Sequence, residues 1–209
     1  MKENIKKIIQ EKLENSNIPY EVDALLSTRT WIHRGGLTTF YIKPKTINQL
    51  KSVIDVCNEN QINDFIIVGH TSNILFSNDK KYEILISTSY LKQFHVKDDC
   101  IECEPGVVMK KLSAFCNEKG YDGLYGFIGL PGTIAGATIN NAGCFGCITS
   151  NVVIGLDYYK YGKETYISNS DMQYSHRRSL LKGGVENGCI TKVYIKKEKA
   201  NPIVLKNKA

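Results

Sequence analysis

The sequence contains no apolar run of about 18 residues, the length that a membrane-spanning helix needs. We therefore expect no membrane segment. The N-terminal stretch also lacks the continuous apolar core of a signal peptide. Its apolar residues recur instead at helical spacing between lysines and glutamates: Ile5, Ile8, Ile9 and Leu13. These absences predict an amphipathic leading helix and a cytoplasmic protein.

Charge of either sign is not concentrated anywhere in the chain. The net charge is +6, the lysines are scattered, and the aromatic residues do not alternate with Lys or Arg as in a nucleic-acid-binding module. We therefore expect no nucleic-acid partner. A solvated surface explains the mild positive charge, and an anionic small ligand such as a diphosphate fits it equally well. With 209 residues, 42% of them hydrophobic, the chain is long enough to bury a core.

The cysteine pattern does not favour a metal site. Seven cysteines are an odd number, and cytoplasmic thiols stay reduced. Two CxxC pairs occur, Cys100/Cys103 and Cys144/Cys147, but the gap between them is about twice the roughly 15–20 residues of a zinc ribbon. The first pair also lies in a strand-like stretch, where residues three apart face opposite sides. We expect no metal, and the alternatives are a redox pair at Cys144/Cys147 or incidental buried thiols.

Hydrophobic periodicity predicts an α+β protein built in two parts. The first part is a βαβ unit, with strands at 38–43, 65–68 and 84–86 and a helix that opens with the capping box of Thr46 and Gln49. The second part has a strand at 100–104, a helix at 107–119 closed by Gly120, a hairpin at 152–167 turning at 161–163, and a strand at 190–195. We assign residues 1–20 to a helix, 21–90 and 91–200 to two subdomains, and 201–209 to a tail. We expect residues 200–209 to be frayed.

Two glycine-containing segments carry the chemistry that the sequence suggests. The first follows a buried strand and covers residues 69–74, and the second covers residues 129–143. Glycine permits positive φ and close approach of backbone to a ligand, and successive backbone N–H groups in such turns bind anions. A tight turn alone explains either segment taken singly. Together, the two segments can hold a diphosphate from both sides.

With their flanking residues, these segments resemble a known family. Residues 30–36, 69–73, 130–146 and 177–179 occur in the order and spacing of the UDP-N-acetylenolpyruvoylglucosamine reductases. The resemblance covers roughly residues 25–197. It implies the two-subdomain FAD-binding fold of the vanillyl-alcohol-oxidase (PCMH) type, with a βαβ-like N-terminal subdomain and a second subdomain of mixed or antiparallel sheet.

The resemblance also implies a set of cofactor-binding residues. The stretch from Gly188 to Val193 resembles the closing strand of the wider fold, whose backbone lies against the FAD adenosine. Its predicted cofactor-binding residues are Gly188 and Ile190. The other residues lie in the two glycine segments and in the turn that follows the second: Gly69, His70, Thr71, Ser72, Asn73, Ile74, Gly129, Pro131, Gly132, Thr133, Gly136, Ala137, Asn141, Ala142, Gly143 and Gly146. We expect noncovalent FAD, because alignment places the histidine that tethers FAD in some relatives nearer Ser72 than His70.

Catalysis is assigned through the resemblance to Arg177 and His176. Arg177 matches the family arginine near the flavin face, where it orients a carboxylate or stabilises a developing anion. His176 stands where the family has tyrosine, and its imidazole can serve as general acid or base. A solvated basic turn and a structural histidine are the alternatives for these two residues.

Further departures separate the chain from the family. Thr71 replaces the usual third glycine of the first segment, and Tyr125 replaces a glutamate. The family enzyme continues with a C-terminal substrate domain that carries a proton-donating serine and a glutamate. Because this sequence ends at Ala209, we expect neither residue here.

The expected function is FAD-dependent oxidation–reduction of a nucleotide-linked sugar in surface polysaccharide synthesis, with NADPH as a possible electron donor. Two alternatives are a truncated reductase completed by a partner chain or an oligomeric neighbour, and a non-catalytic FAD- or nucleotide-binding module.

Overall fold

The computed structural model describes residues 1–182, 187–201 and 203–205. These residues pack into two compact units. Unit 1 contains residues 1–91, 159–164 and 187–189, and unit 2 contains residues 92–158, 165–182, 190–201 and 203–205. The division predicted from the sequence into 1–20, 21–90, 91–200 and 201–209 remains a prediction.

Unit 1 is a four-stranded sheet with two helices. In chain order its elements are α1 (Glu3–Asn15), β1 (Tyr20–Leu25), β2 (Leu37–Ile42), α2 (Ile47–Glu59), β3 (Phe65–Val68) and β4 (Tyr82–Ser87). The strand order is β1-β2-β4-β3, with β1 antiparallel to β2 and the other neighbours parallel. The predicted βαβ unit is therefore present, but β4 lies between the two strands that α2 connects.

Alternation along the strands of unit 1 supplies two hydrophobic faces. Phe40 and Ile42 lie in one core cluster together with buried residues of α1 and α2, whereas Tyr41 lies in a second cluster with Val68 and Leu85. Since neighbouring strand residues point to opposite faces, the sheet is covered on both sides. The strand that ends at Val68 is thereby held in place, and the first glycine segment begins directly after it.

The leading helix is shorter than the sequence indicated. We predicted a helix over residues 1–20, whereas α1 ends at Asn15 and β1 begins at Tyr20. Asn17 has a φ of 49°, which takes the backbone out of the helix, and Pro19 has no N–H to continue it. Strand β1 was not predicted, although Tyr20, Val22 and Ala24 alternate with Glu21 and Asp23 at the spacing typical of a strand.

Unit 2 is built around the sheet β10-β9-β11-β6-β5. Its elements are β5 (Phe94–Val96), β6 (Cys100–Cys103), α3 (Met109–Lys119), α4 (Ile134–Ile139), β7 (Gly143–Cys144), β8 (Cys147–Ile148), α5 (Thr149–Val152) and the larger parts of β9 (Val153–Lys160), β10 (Lys163–Ser168) and β11 (Gly188–Lys196). The ends of these three strands that fall within 159–164 and 187–189 are counted with unit 1. Strand β6 pairs antiparallel with both β5 and β11. Gly120 ends α3 with a φ of 71°, which confirms the predicted left-handed cap.

The C-terminal residues that the structure describes are not frayed. Ala200 donates its backbone N–H to Gly120 O at 2.8 Å, and Leu205 is 1% exposed. The expectation of a frayed tail is therefore wrong for these residues, because Leu205, the last of three consecutive apolar residues, is buried. Residues 202 and 206–209 lie outside the described part of the chain.

Helix α2 provides a test of the local stability of unit 1. Thr46 Oγ1 accepts from Gln49 N at 3.2 Å, and Gln49 Oε1 accepts from Lys45 N at 2.8 Å. We expect Thr46→Ala to lower the free energy of unfolding by about 1 kcal/mol, because one N-terminal N–H of the helix loses its partner. Urea denaturation measures this change. Thr46→Ser, which keeps the hydroxyl, is the matched control, and equal stability of both variants would contradict the cap.

Candidate functional site

The first glycine segment leaves a row of backbone donors free. Residues 69–74 follow β3 directly, and within the part of the chain that the structure describes none of their six backbone N–H groups has a hydrogen-bond partner. The segment is half-buried around Ser72 and exposed at Asn73. Consecutive unpaired N–H groups form the concave, electropositive surface that binds phosphate oxygens. The segment is therefore suited to hold an anion.

A threonine holds this segment in place. Thr71 is buried, has a φ of 54°, donates its hydroxyl to His70 O at 2.7 Å and accepts from Trp31 N at 2.9 Å. A positive φ is unusual for a β-branched residue and costs little for glycine. The same backbone conformation thus explains both the glycine that the family has here and the compensating hydrogen bonds that threonine makes.

The second segment begins with an irregular stretch and continues into α4. Gly132 has a φ of 118°, its carbonyl accepts from Met109 N, and Thr133 Oγ1 accepts from Gly136 N at 3.4 Å. No described residue accepts a hydrogen bond from the backbone N–H groups of Gly129, Gly132 or Thr133. This segment therefore also presents free donors, on a backbone fixed by the neighbouring α3 and α4.

The glycines of unit 2 differ in why they must be glycine. A Cβ at Gly126 would lie 2.6 Å from Cys144 O, so packing within the unit requires glycine there. A Cβ at Gly129 would meet nothing within 4 Å, and at Gly143 it would make only ordinary contacts at 3.5 Å and beyond. Neither Gly129 nor Gly143 has a positive φ. The chain itself thus gives no reason for these two glycines, which leaves room for a ligand against the backbone.

Several predicted cofactor residues turn their side chains away from solvent. Ala137, Ala142 and Ile190 belong to the core of unit 2, and Ile74 packs against a core cluster of unit 1. The side chains of Ala137, Ala142 and Ile190 are buried, so the backbone groups of these three residues are the ones available to a ligand. Gly188 begins β11 in unit 1, after Asn187 with its φ of 68°.

The turn that carries His176 and Arg177 is fastened to the second segment. Ser175 and Arg178 exchange two backbone hydrogen bonds of 3.1 Å, so that His176 and Arg177 form an exposed two-residue turn. Asn141 Nδ2 donates to Ser175 O at 3.0 Å, while its Oδ1 accepts from Ser150 N at 3.0 Å. The amide of Asn141 is thereby used within unit 2 and positions this turn.

A second hydrogen bond holds the turn on its C-terminal side. Ser179 Oγ donates to Ile139 O at 2.7 Å, at the end of α4. Arg177 has a φ of 57°, and its guanidinium has no hydrogen-bond or ion-pair partner among the described residues. The turn thus presents an exposed cation without a partner among the described residues, on a backbone that these hydrogen bonds hold in place.

Four buried side-chain polar atoms of unit 2 lack a hydrogen-bond partner among the described residues, and two of them belong to Asn117. Thr138 Oγ1 and Tyr174 Oη are inaccessible to solvent and make no hydrogen bond to a described residue. Burial raises the pKa of Tyr174, so its hydroxyl stays protonated and can donate. Buried polar atoms are normally satisfied, and a bound ligand or an ordered water is the usual explanation for an exception. The sequence prediction missed both residues, because an isolated Thr or Tyr carries no motif.

The cysteine pairs show no metal-binding arrangement. Burial raises the pKa of the Cys103 thiol, which disfavours the thiolate that a metal requires. Cys144 and Cys147 lie opposite each other across β7 and β8, and Cys147 Sγ accepts from Gly126 N at 3.2 Å. Across residues 1–182, 187–201 and 203–205, no three His, Cys, Asp or Glu side chains are grouped to hold a metal. No helix in the same ranges is long and apolar enough to cross a membrane.

The hydrogen bonds that hold the turn at His176 and Arg177 generate a prediction. We expect Asn141→Ala to speed amide hydrogen exchange at Arg178 by about five- to tenfold, because the turn loses a hydrogen bond of roughly 1 kcal/mol at Ser175. Mass spectrometry of peptides covering 172–182 measures this rate. The matched control is Asn140→Ala, since among the described residues Gly136 O is the sole partner of Asn140 Nδ2. Equal exchange in the two variants would show that Asn141 does not fix the turn.

Comparison with known proteins places this geometry in a family. The profile of the FAD binding domain family matches residues 38–166, more than half of the chain. A UDP-N-acetylenolpyruvoylglucosamine reductase from Caldicellulosiruptor saccharolyticus is 33% identical over 178 residues, which are 81% of this chain and 55% of that protein. The enzyme of the same name from Thermosipho melanesiensis is 30% identical over 148 residues, 71% of this chain and 49% of the relative. The chain thus spans about half the length of these curated relatives.

Solved structures share the fold. The UDP-N-acetylenolpyruvylglucosamine reductase of Thermus caldophilus aligns with a TM-score of 0.71 at 19% identity, over 91% of this chain and 66% of that one. A substrate-bound p-cresol methylhydroxylase aligns with a TM-score of 0.62 at 14% identity, over 95% of this chain and 44% of that one. These likenesses confirm the predicted α+β fold of the PCMH type. On the match over residues 38–166, the chain belongs to the FAD binding domain family.

Proposed function

We propose that this chain binds one FAD non-covalently and works in the reduction of a nucleotide-linked sugar, as the names of its reductase relatives suggest. The observation that carries the proposal is the row of six unpaired backbone N–H groups at 69–74, in a chain of the FAD binding domain family. Phosphate oxygens are the acceptors that such a row fits.

Each unit contributes groups suited to FAD. In unit 1 the backbone donors of 69–74 suit a phosphate, with the Ser72 hydroxyl beside them. Unit 2 contains the free N–H groups of Gly129, Gly132 and Thr133 and also a buried hydroxyl without a partner, Tyr174 Oη. The residues present therefore fit the cofactor. When bound, FAD supplies hydride transfer between an electron donor, for which NADPH is our candidate, and the substrate.

Arg177 and His176 are the candidates for the chemistry at the substrate. The unpaired Arg177 guanidinium suits a carboxylate, or the negative charge that develops when a conjugated double bond accepts a hydride. It stays charged at neutral pH and cannot supply the proton that completes such a reduction. His176, its exposed neighbour, carries an imidazole that can donate one.

The cofactor can be tested directly. We expect purified protein to carry about one FAD per chain, and acid precipitation to release the flavin into the supernatant, because backbone donors bind without a covalent bond. Absorbance of the supernatant at flavin wavelengths measures this. A colourless protein that also fails to bind added FAD would refute the proposal, and flavin retained in the pellet would show a covalent link.

Close approach of the backbone to FAD is tested at Gly129 and Gly143. We expect Gly129→Ala and Gly143→Ala each to weaken FAD binding by about tenfold or more, because a methyl group enters the space left for the ligand. Both substitutions should leave the melting temperature of the apoprotein nearly unchanged, since neither Cβ meets a close neighbour.

Gly162→Ala is the matched control for the glycine substitutions. Gly162 has a φ of 72° in the turn between β9 and β10, so alanine there strains the backbone without touching either segment. We expect lower stability and unchanged FAD affinity. If the variants at Gly129 and Gly143 bind FAD as tightly as this control does, these glycines do not contact the cofactor.

The role of Arg177 is tested by Arg177→Lys, which keeps the charge but loses the planar fork. We expect the reduction of UDP-N-acetylglucosamine enolpyruvate by NADPH-reduced protein to slow by about 10²-fold, with FAD content unchanged. Anaerobic stopped-flow absorbance measures this rate, and Arg178→Lys is the neighbouring control. Equal rates in the two variants would remove Arg177 from the chemistry. No reaction in the wild-type protein would reject this substrate.

A further inference from the structure

An exposed phenylalanine stands at the tip of the hairpin formed by β7 and β8. Phe145 and Gly146 form the two-residue turn between Cys144 and Cys147, with φ angles of 44° and 78°. Two positive φ angles in succession are the mark of a type I′ turn, whose first position favours Asn, Asp or Gly. Phenylalanine is bulky for a left-handed backbone, so this turn is strained.

The ring of Phe145 contributes nothing visible to the packing of unit 2. The residue is 78% exposed, and its ring makes no aromatic or cation contact with the described residues. Aromatic side chains normally contribute by burying a large area. The chain therefore keeps a strained backbone and an exposed apolar ring at the same position, with no local gain from either.

A second turn of the same type gives a contrast. Tyr161 and Gly162 join β9 to β10 with φ angles of 49° and 72°, and Tyr161 is 61% exposed. Its ring lies 4.8 Å from Lys160 Nζ, and its hydroxyl accepts from Asn187 Nδ2 at 3.2 Å. Contacts within the chain thus explain the aromatic residue of that turn. They do not explain Phe145.

The turn that carries Phe145 is also held rigidly. Gly126 packs so closely beneath it that a Cβ would lie 2.6 Å from Cys144 O and 2.9 Å from Phe145 O. Gly126 N donates to Cys147 Sγ. The hairpin is therefore anchored on the short helix Tyr125–Phe127, and the ring is presented from a fixed backbone.

We propose that the Phe145 ring is a stacking platform for the planar heteroaromatic ring of a nucleotide. The inference rests on the proposed function, and it names a binding residue that the sequence prediction did not include. Backbone strain that brings no packing gain is typical of ligand sites. A flat apolar ring suits a flat heteroaromatic partner, because every such partner has a π-face. The turn also follows directly on Gly143, where the backbone has room for a ligand.

Two nucleotides can supply that ring, and the experiment separates them. One is FAD, through its flavin or adenine ring, and the other is the base of the nucleotide-linked substrate. The two probes are FAD, titrated into apoprotein by quenching of flavin fluorescence, and UDP, titrated into FAD-loaded protein by calorimetry. We compare wild type with Phe145→Asn, Phe145→Gly and Phe145→Tyr.

Phe145→Asn and Phe145→Gly should leave the melting temperature equal or higher, because both residues accept a positive φ. Both should weaken binding of one probe by about tenfold, the loss expected for one stacked ring. Phe145→Tyr keeps the ring and should bind within about twofold of wild type. Tyr161→Asn, the matched variant of the other turn, should change neither affinity.

The outcomes separate this inference from the proposed function. Loss of FAD affinity assigns the platform to the cofactor, and loss of UDP affinity with FAD unchanged assigns it to the substrate base. If wild type binds both probes and Phe145→Asn and Phe145→Gly bind them equally well, the inference is wrong and the proposed function stands. If wild type binds no FAD, the proposed function fails; if it binds no UDP either, the inference falls with it.

Discussion

The candidate site depends on one constraint: backbone N–H groups must stay free for a ligand while the backbone that carries them stays fixed. In a helix or a sheet those groups are consumed by the hydrogen bonds that provide the rigidity. The first segment meets the constraint with a side chain. Thr71 fixes the loop through Trp31 N and His70 O, and the N–H groups of 69–74 remain unpaired within the described chain. Thr71, which stands where the family has glycine, thus adopts the positive φ that glycine would adopt and stabilises it with two hydrogen bonds.

Unit 2 meets the same constraint with polar side chains placed far apart in sequence. Asn141 reaches Ser175, 34 residues away, and Ser179 reaches Ile139, 40 residues away. In both bonds the backbone acceptor is a carbonyl oxygen. The backbone N–H groups of the second segment and the Arg177 guanidinium are therefore not used by them. The consequence is that Asn141 acts on the candidate chemistry through position, although the sequence motif suggested a direct contact with the cofactor. The glycine motif and the arginine turn are parts of one arrangement within this unit.

The features that were predicted correctly from the sequence are those that a few adjacent residues determine. The strand Phe65–Val68, the cap at Thr46 and the left-handed end of α3 at Gly120 each follow from a few adjacent residues. The features it missed come from pairing at a distance. Strand β4 enters between β2 and β3, and β11 joins β9 to β6, because sheet order is decided by which apolar faces can be buried together. The buried hydroxyl of Tyr174 was invisible for the same reason, since its surroundings come from the fold of unit 2.

Glycine shows most clearly where sequence reasoning needs the structure. The glycines between Gly123 and Gly146 cannot be told apart in a motif, yet the physical reason for glycine differs from one position to the next. Gly126 is required by a carbonyl 2.6 Å from its absent Cβ, and Gly132 and Gly146 by φ angles of 118° and 78°. At Gly129 and Gly143 neither close packing nor a positive φ requires glycine. A small residue that neither packing nor backbone geometry requires points to a neighbour that the chain does not supply, and this is the reason for proposing a ligand at these two positions. The same reasoning, applied to a large residue, leads to the proposal at Phe145, whose exposed ring makes no aromatic or cation contact with the described residues.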